Sequence, residues 1–118
     1  MKKNIFRNKK IIVTGHTGFK GSWLSLWLHT LGANIIGISK NIPTKPSHFE
    51  SIDLKKRIKN LKINICDYKK LSSAFKTYQP DFVFHLAAQA LVKRSYSNPI
   101  ETWQTNTIGT LNVLESLK

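Results

Sequence analysis

Cysteine is almost absent from the chain, which contains one cysteine, Cys66, in 118 residues. A single cysteine excludes a disulfide within the chain and argues against a metal site built from thiolates, so we expect no metal. Proteins without disulfides are typical of reducing compartments, and we therefore expect a cytoplasmic protein. No neighbouring residue in the sequence would activate this thiol, so we interpret Cys66 as unreactive.

Long apolar runs are also missing. After the basic start MKKNIFRNKK, the apolar residues 11–13 lead directly into a glycine-rich stretch. A secretory signal needs a longer apolar region and a cleavage site of small residues. A helix that crosses a bilayer needs about 20 apolar residues. We therefore expect no export signal and no membrane partner.

Acidic residues are few: 6 stand against 19 lysines and arginines, which gives a formal net charge of +13. Such a charge suits a polyanion, for example nucleic acid. The lysines are scattered, however, and no aromatic residues are interleaved with them. We therefore expect no nucleic-acid partner and interpret the lysines as solvated surface residues. A basic interaction module remains the alternative from another functional class.

The length suits one domain, because 118 residues can enclose one core but not two. Strand-like apolar runs alternate with segments of helical periodicity, which predicts a parallel sheet with right-handed crossovers. The predicted strands lie near 9–14, 34–39, 61–65 and 81–88, and the predicted helices near 20–31, 50–58, 67–78 and 100–117. We expect Gly32 to end the first helix, the strand at 81–88 to be buried on both faces, and the proline-containing segment 41–51 to be a loop.

Three glycines at intervals of three, Gly15, Gly18 and Gly21, separate the first predicted strand from the first predicted helix. In a parallel sheet, a glycine turn of this kind lets the backbone approach a diphosphate at the free N–H groups of the helix. A Cβ would block the turn, the ligand or the packing of helix on strand. The pattern predicts a Rossmann-like α/β domain over residues 1–118, with a doubly wound parallel sheet in three α/β/α layers.

The Gly-x-x-Gly-x-x-Gly spacing, with HLAAQ at 85–89 and TNTIGTLNVLES at 105–116, resembles the extended branch of the short-chain dehydrogenase/reductase superfamily. This branch acts on nucleotide sugars. The stretches GHTGFKGSWLSLWL and PTKPSHFE are most similar to members that dehydrate CDP-glucose. The resemblance implies NAD as cofactor, CDP-glucose as substrate and a homo-oligomer for the full-length enzyme. Dehydratases of dTDP-glucose or GDP-mannose, epimerases, and a nucleotide-binding module without catalysis remain alternatives.

The resemblance also implies which residues bind the cofactor. The pyrophosphate would lie on the glycine loop, the adenosine near the ends of the second and third strands, and the nicotinamide ribose above residues 86–88. The implied residues are Gly15, Thr17, Gly18, Phe19, Lys20, Gly21, Asn41, Asn64, Ile65, Leu86, Ala87, Ala88, Gln89 and Asn106, with Thr105 beside the last. Lys20 has a solvent-facing alternative, Asn106 could instead bond neighbouring loops, and Asp67 is interpreted as a helix cap.

The sequence departs from the family pattern at Asn41, where members often have Asp. An amide can both accept and donate a hydrogen bond to a ribose, but it lacks the strength of a charged acceptor. The neighbouring Lys40 would tolerate a 2′-phosphate. The choice between NAD and NADP therefore stays open from the sequence.

Two histidines and two tryptophans have a structural role as the simpler interpretation. We expect His85, within an apolar strand, to bond to backbone, and His16 to be a turn residue. Trp23 and Trp27 are four residues apart on one predicted helix, and this spacing is typical of core packing.

The chemistry implied by the resemblance is removal of hydride from sugar C4, loss of water across C5 and C6, and return of hydride to C6. This cycle needs a Tyr-x-x-x-Lys pair. The chain has no such pair, because Tyr68, Tyr78 and Tyr96 are followed four residues later by Ser72, Phe82 and Ile100. We therefore assign no catalytic residue and expect a truncated, cofactor-binding N-terminal portion that is inactive alone, with an unpaired sheet edge.

Overall fold

The computed structural model describes residues 3–118, and these contain one parallel sheet with the strand order β3-β2-β1-β4. The strands are β1 (Lys10–Thr14), β2 (Asn34–Ser39), β3 (Lys59–Lys62) and β4 (Phe82–His85). The chain builds outward from β1 to β3 and then returns to the other side of β1. In doubly wound sheets this reversal opens a crevice at the carboxyl edge of the strands.

Helical segments connect the strands and follow β4. They are α1 (Phe19–Thr30), α2 (His48–Ser51), α3 (Tyr68–Tyr78), α4 (Val92–Ser97), α5 (Pro99–Trp103) and α6 (Gly109–Ser116), with a 3₁₀ turn at Leu54–Lys56 and a π-helical turn at Gln104–Ile108. From Pro99 to Ser116 the helical segments follow one another directly. The prediction of a helix over 100–117 is therefore confirmed, whereas α4 was not predicted.

The core lies on both faces of the sheet. Successive strand residues point to opposite faces, so Ile11 and Val13 pack with Leu28 of α1. Ile12 points the other way and packs in the cluster that holds Phe75 of α3 and Val113 of α6. The sheet is thus covered by helices on both sides, which confirms the predicted three-layer arrangement.

Several elements differ from the prediction. Strand β3 ends at Lys62 and not near residue 65, β4 ends at His85 and not at residue 88, and α2 with the 3₁₀ turn replaces the predicted helix over 50–58. Two differences have a local physical cause. A helix, α2, begins inside the predicted loop, since the Ser47 hydroxyl accepts the N–H of Glu50 at 3.2 Å and caps it. Strand β4 is half-buried on every residue, not buried on both faces. It lies at the edge of the described sheet, with β1 as its neighbour there.

The prediction that the two helix tryptophans pack in the core is wrong. Trp23 is 52% exposed and Trp27 is 65% exposed. The buried positions of α1 are instead taken mostly by small residues, among them Gly21, Ser22 and Ser25. These small residues leave the bulky indole rings on the outer face of the helix.

Helix α3 has the predicted cap at its first turn. The Asp67 carboxylate accepts the N–H of Lys70 at 3.2 Å, and the helix buries Leu71 and Phe75 against the sheet. Replacing a capping Asp by Ala costs about 1 kcal/mol in typical helices. We therefore expect Asp67→Ala to lower the free energy of unfolding by about 1 kcal/mol in urea titrations. Lys69→Ala on the exposed face is the control, and equal stability of the two variants would contradict the assigned cap.

Candidate functional site

A groove lies at the carboxyl edge of the sheet and is built from the turns that follow β1, β2, β3 and β4. Its lining includes most of the residues that the sequence assigned to a cofactor. The lining residues are Gly15, Thr17, Gly18, Ser39, Lys40, Asn41, Pro43, Ile63, Asn64, Ile65, Leu86, Ala87, Ala88 and Thr105. Segments that are far apart in the sequence therefore meet at the edge where doubly wound sheets bind ligands.

Two of the three loop glycines are required by the protein itself. Gly15 has φ of +75°, and a Cβ there would lie 2.7 Å from the backbone nitrogen of Ala87. A Cβ on Gly21 would overlap the carbonyl group of Gly15. The turn therefore packs tightly against the segment after β4 on one side and against the start of α1 on the other.

Gly18 is different, because neither its backbone nor its neighbours require glycine. Its φ and ψ of −74° and 169° are accessible to any residue. The nearest atom to an added Cβ would be the Gly15 carbonyl oxygen at 3.4 Å, an ordinary van der Waals distance. Since Gly18 lines the groove, its missing side chain leaves additional space there.

The first turn of α1 is suited to an anion. Its N-cap is Gly18, which provides no side-chain hydrogen bond, and this fully described helix has no acidic residue in its first turn. A helix N-terminus carries a partial positive charge from its unpaired N–H groups. The groove therefore presents an uncompensated positive helix end.

The turn after β2 is tied to the glycine loop. The Thr17 hydroxyl donates to the carbonyl oxygen of Asn41 at 2.6 Å, whereas the Asn41 side chain is exposed in the groove. Lys40 forms an ion pair with Glu101 at 3.1 Å, and Arg94 donates to the same carboxylate at 2.8 Å. These hydrogen bonds, from Lys40 first and then Arg94, lower the pKa of Glu101.

The turn after β3 contributes mainly its backbone and one apolar side chain. Ile65 is only 4% exposed, and its side chain belongs to the core. The Asn64 side chain accepts the N–H of Cys66 at 3.0 Å and so stabilises the turn. Ile63, which the sequence reasoning missed, also lines the groove, and its position two residues before Ile65 was the available signal.

Five predicted residues are not part of the groove lining. Phe19 is 72% exposed and Lys20 is exposed, both on the first turn of α1, while Gly21 is buried beneath the loop. The Gln89 side chain bonds to Leu91 and Thr102, so it stabilises its own turn. Asn106 bonds the backbone of Gln89 with both ends of its amide, at 2.8 and 3.1 Å. The alternative that Asn106 bonds a neighbouring loop is the one observed.

His16 is more than a turn residue, because its ring fixes the glycine loop to the sheet. The ring is fully buried, and its Nε2–H donates to the Asn60 side-chain oxygen at 2.6 Å. The ring lies so close to Gly37 of β2 that a Cβ there would collide with it. A glycine within a β-branched strand marks such a close approach, so the sequence carried a signal for this contact.

His85 also differs from its predicted role, because its ring bonds to side chains. Its Nδ1 lies 2.6 Å from the Thr14 hydroxyl, and its Nε2 lies 3.0 Å from the Thr110 hydroxyl. Burial lowers the pKa of His85, so the ring is neutral at neutral pH. The ring therefore connects the ends of β1 and β4 to α6.

Other kinds of site are not found in the described part of the chain. Within residues 3–118, no cluster of three or more His, Cys, Asp or Glu residues is arranged to hold a metal ion. In the same residues, no helix combines the length and the apolar character needed to span a membrane.

The strand order and the glycine loop define a Rossmann-like fold of the dehydratase and epimerase type. The family model described as GDP-mannose 4,6 dehydratase matches residues 12–118, and the chain belongs to this family of nucleotide-sugar dehydratases and epimerases. The chain is 47% identical over 116 residues to CDP-glucose 4,6-dehydratase of Salmonella typhimurium, covering 98% of this chain and 32% of that protein. It is 38% identical over 111 residues to dTDP-glucose 4,6-dehydratase of Haemophilus influenzae, covering 92% and 32%.

Solved structures have the same fold. An epimerase from Methanothermobacter thermautotrophicus superposes with a TM-score of 0.83 at 34% identity, covering 96% of this chain and 32% of that one. A UDP-glucose 4-epimerase of Thermus thermophilus in complex with NAD superposes with a TM-score of 0.80 at 29% identity, covering 91% and 33%. The chain thus spans about a third of the length of the relatives that it matches.

The buried His16 leads to a prediction about pH. Burial lowers its pKa from the ordinary value of 6.5, against a smaller opposing effect of the bond to Asn60. The unfolded chain therefore takes up a proton on this ring before the folded chain does. Stability that is fully present above pH 6.5 is lost as the pH falls through 6.5 towards the folded pKa.

We expect the free energy of unfolding in urea to fall from about pH 7.5 to about pH 5.5. The variant His16→Gln removes this titration, so its loss over the same interval is smaller. His85 titrates in the same direction and leaves a residual slope. Equal slopes for the variant and the unaltered chain would contradict the assignment.

Proposed function

We propose that residues 1–118 form the NAD-binding domain of a nucleotide-sugar 4,6-dehydratase whose substrate is CDP-glucose. The observation that supports this most is the open position at Gly18, on a loop at the β1–β4 crevice. The 47% identity to a CDP-glucose 4,6-dehydratase favours this substrate over dTDP-glucose, whose dehydratase in Haemophilus influenzae is 38% identical. The NAD complex of a structural neighbour supports the cofactor.

The residues of the groove suit the parts of NAD in sequence. The free N–H groups of the first turn of α1 would hold the pyrophosphate. Gly15 and Gly18 would let it approach the backbone, since their own N–H groups already donate to the carbonyl oxygens of Ile38 and Gly15 at 2.8 and 3.1 Å. Asn41 would bond the adenosine ribose, with adenine between Asn64 and the apolar surface of Ile63. The small side chains after β4, at 86–88, would lie against the nicotinamide ribose. Bound there, NAD supplies a hydride acceptor, and the protein supplies its orientation.

NAD, and not NADP, is the proposed cofactor. The one cation that lines the groove beside Asn41 is Lys40, as far as the described residues go, and its ammonium group is paired with Glu101. A cation held by a carboxylate is less able to bind a 2′-phosphate. The pair thus offers a physical reason for a preference that the sequence left open.

The reaction belongs to the whole enzyme. No Tyr-x-x-x-Lys pair occurs in the 118 residues, so we propose that this chain alone binds NAD and does not convert CDP-glucose. By the same reasoning we propose that the full-length enzyme is a cytoplasmic homo-oligomer and that its sugar-binding residues lie outside this domain.

Calorimetric titration with NAD tests the proposed function through Gly18→Ala. The added methyl group meets the fold only at an ordinary contact distance of 3.4 Å from the Gly15 carbonyl oxygen and occupies space in the groove. We therefore expect NAD affinity to fall about tenfold or more with little change in Tm. Gly21→Ala is the contrasting variant, because its methyl group collides with Gly15 and lowers the Tm itself. Binding of an oligonucleotide in a salt-dependent manner, with no binding of NAD, would support the basic interaction module instead.

The Lys40–Glu101 pair gives a second test. In Glu101→Gln the ammonium group of Lys40 loses its carboxylate partner and becomes available to a 2′-phosphate. We expect the ratio of NADP affinity to NAD affinity to rise several-fold. Glu115→Gln is the control, because Glu115 pairs with Lys118, outside the groove lining. An unchanged ratio in Glu101→Gln would show that Lys40 does not reach the ribose.

A further inference from the structure

A chain of side-chain hydrogen bonds runs from the end of β1 to the loop after β4. It connects Thr14, His85 and Thr110 through their side chains, reaches Asn106 at its backbone carbonyl, and continues from the Asn106 side-chain amide to the backbone of Gln89, with donor–acceptor distances between 2.6 and 3.1 Å. These residues come from two strands, from α6, from the π-helical turn and from a loop. The ring of His85 is the link between the sheet and the helical segment.

The hydrogen bonds of Thr110 determine which nitrogen of His85 carries the proton. The Thr110 hydroxyl lies 2.8 Å from the carbonyl oxygen of Asn106. A carbonyl oxygen only accepts, so the single hydroxyl proton of Thr110 is donated there. The same hydroxyl can therefore only accept from His85 Nε2 at 3.0 Å, which places a proton on Nε2.

The hydrogen bonds of Thr14, at the other end of the series, indicate the same tautomer independently. The Thr14 hydroxyl oxygen accepts the N–H of Leu86 at 3.1 Å and the N–H of Ala87 at 3.2 Å. The Leu86 N–H is shared with the Thr14 carbonyl oxygen at 3.0 Å. Because the hydroxyl oxygen accepts from these two N–H groups, its own proton is donated to His85 Nδ1 at 2.6 Å. Nδ1 is thus an acceptor without a proton, and the polarity of the bonds agrees at both sides of the ring.

Both ends of this chain act on the backbone that lines the groove. The Thr14 hydroxyl holds the N–H groups of Leu86 and Ala87. Asn106 holds the N–H and the carbonyl of Gln89. The residues between these two attachment points form the wall of the groove after β4. The histidine proton bears on this wall through the Thr14 end, where the direction of the Thr14–His85 bond decides whether the hydroxyl oxygen can accept the N–H groups of Leu86 and Ala87.

We propose that His85 is a positioning residue for the nicotinamide half of the bound cofactor. As the Nε2–H tautomer, it accepts the Thr14 hydroxyl proton on Nδ1 and donates to the Thr110 hydroxyl, and these bonds keep residues 86–88 in their groove-lining conformation. This inference rests on the proposed function, because it assigns residues 86–88 to that half of NAD. The adenosine half would lie against the turns after β2 and β3, and the hydrogen bonds described above do not reach these turns.

The tautomer is tested directly by ¹⁵N NMR of the histidine-labelled chain without ligand at about pH 7.5. We expect the His85 ring to show a protonated Nε2 and an unprotonated Nδ1. Thr110→Val, which removes the acceptor at nearly constant shape, shifts the Nε2 resonance. A ring protonated on Nδ1, or on both nitrogens, would overturn the inference whatever the chain binds.

The role in binding is tested with two probes, NAD and ADP, because ADP carries only the adenosine half. We expect His85→Leu and Thr110→Val to weaken NAD about tenfold and to leave ADP affinity within twofold of the unaltered chain. Thr110→Val keeps the histidine, so it provides the measurement if His85→Leu fails to fold. Thr107→Val, an exposed position on the same π-helical turn, is the matched control with unaltered binding.

The outcomes separate this inference from the proposed function. An equal loss of NAD and ADP affinity would mean that His85 only maintains the fold. Unchanged NAD affinity would mean that the hydrogen bonds of His85 do not shape the groove wall at residues 86–88. Either result overturns the inference while NAD binding by the unaltered chain still stands. If the unaltered chain binds neither NAD nor ADP, the proposed function fails, and the positioning role fails with it.

Discussion

The architecture depends on one close contact between two turns. Strands β1 and β4 are parallel neighbours with Thr14 opposite His85, so the chain leaves both strands at the same level. Gly15 then lies directly against the backbone of Ala87, at a distance that excludes even a Cβ. Because the two turns touch, the groove has a continuous floor, and α1 can begin immediately beside it. A methyl group on Gly15 would push apart the two turns on which the site is built.

Much of the fold was predictable because its signals are local. The β-branched runs predicted β1 and β2, the glycine spacing predicted the turn, and Asp67 predicted the start of α3. The errors arose where distant parts of the chain decide the outcome. Trp23 has the periodicity of a core residue, yet the outer face of α1 holds it. The half-burial of β4 reflects its position at the sheet edge, which no local pattern encodes.

The candidate site likewise has features that local sequence predicts and features that only distant contacts decide. The groove positions of Gly15 and Gly18 could be predicted, since the spacing of the glycines after an apolar strand is visible in the sequence. Side-chain partnerships could not, because their members are separated by many residues: Lys40 meets Glu101 across 61 positions, and Thr14 meets His85 across 71. Gly37 is the exception, since a glycine within a strand of isoleucines indicated that a bulky neighbour, here His16, lies against it.

The outer face of α1 determines how this protein can be observed by optical spectroscopy. Trp23, Trp27 and Trp103 are all more than half exposed in the folded chain, so their fluorescence emission already resembles that of indole in water. Tryptophan emission would therefore be a poor reporter of unfolding, for which circular dichroism is better suited. Trp23 differs from the others because its ring stacks on His48 at 4.2 Å. That contact ties the surroundings of Trp23 to the position of the segment that leads into α2, so a change in this segment alters them locally.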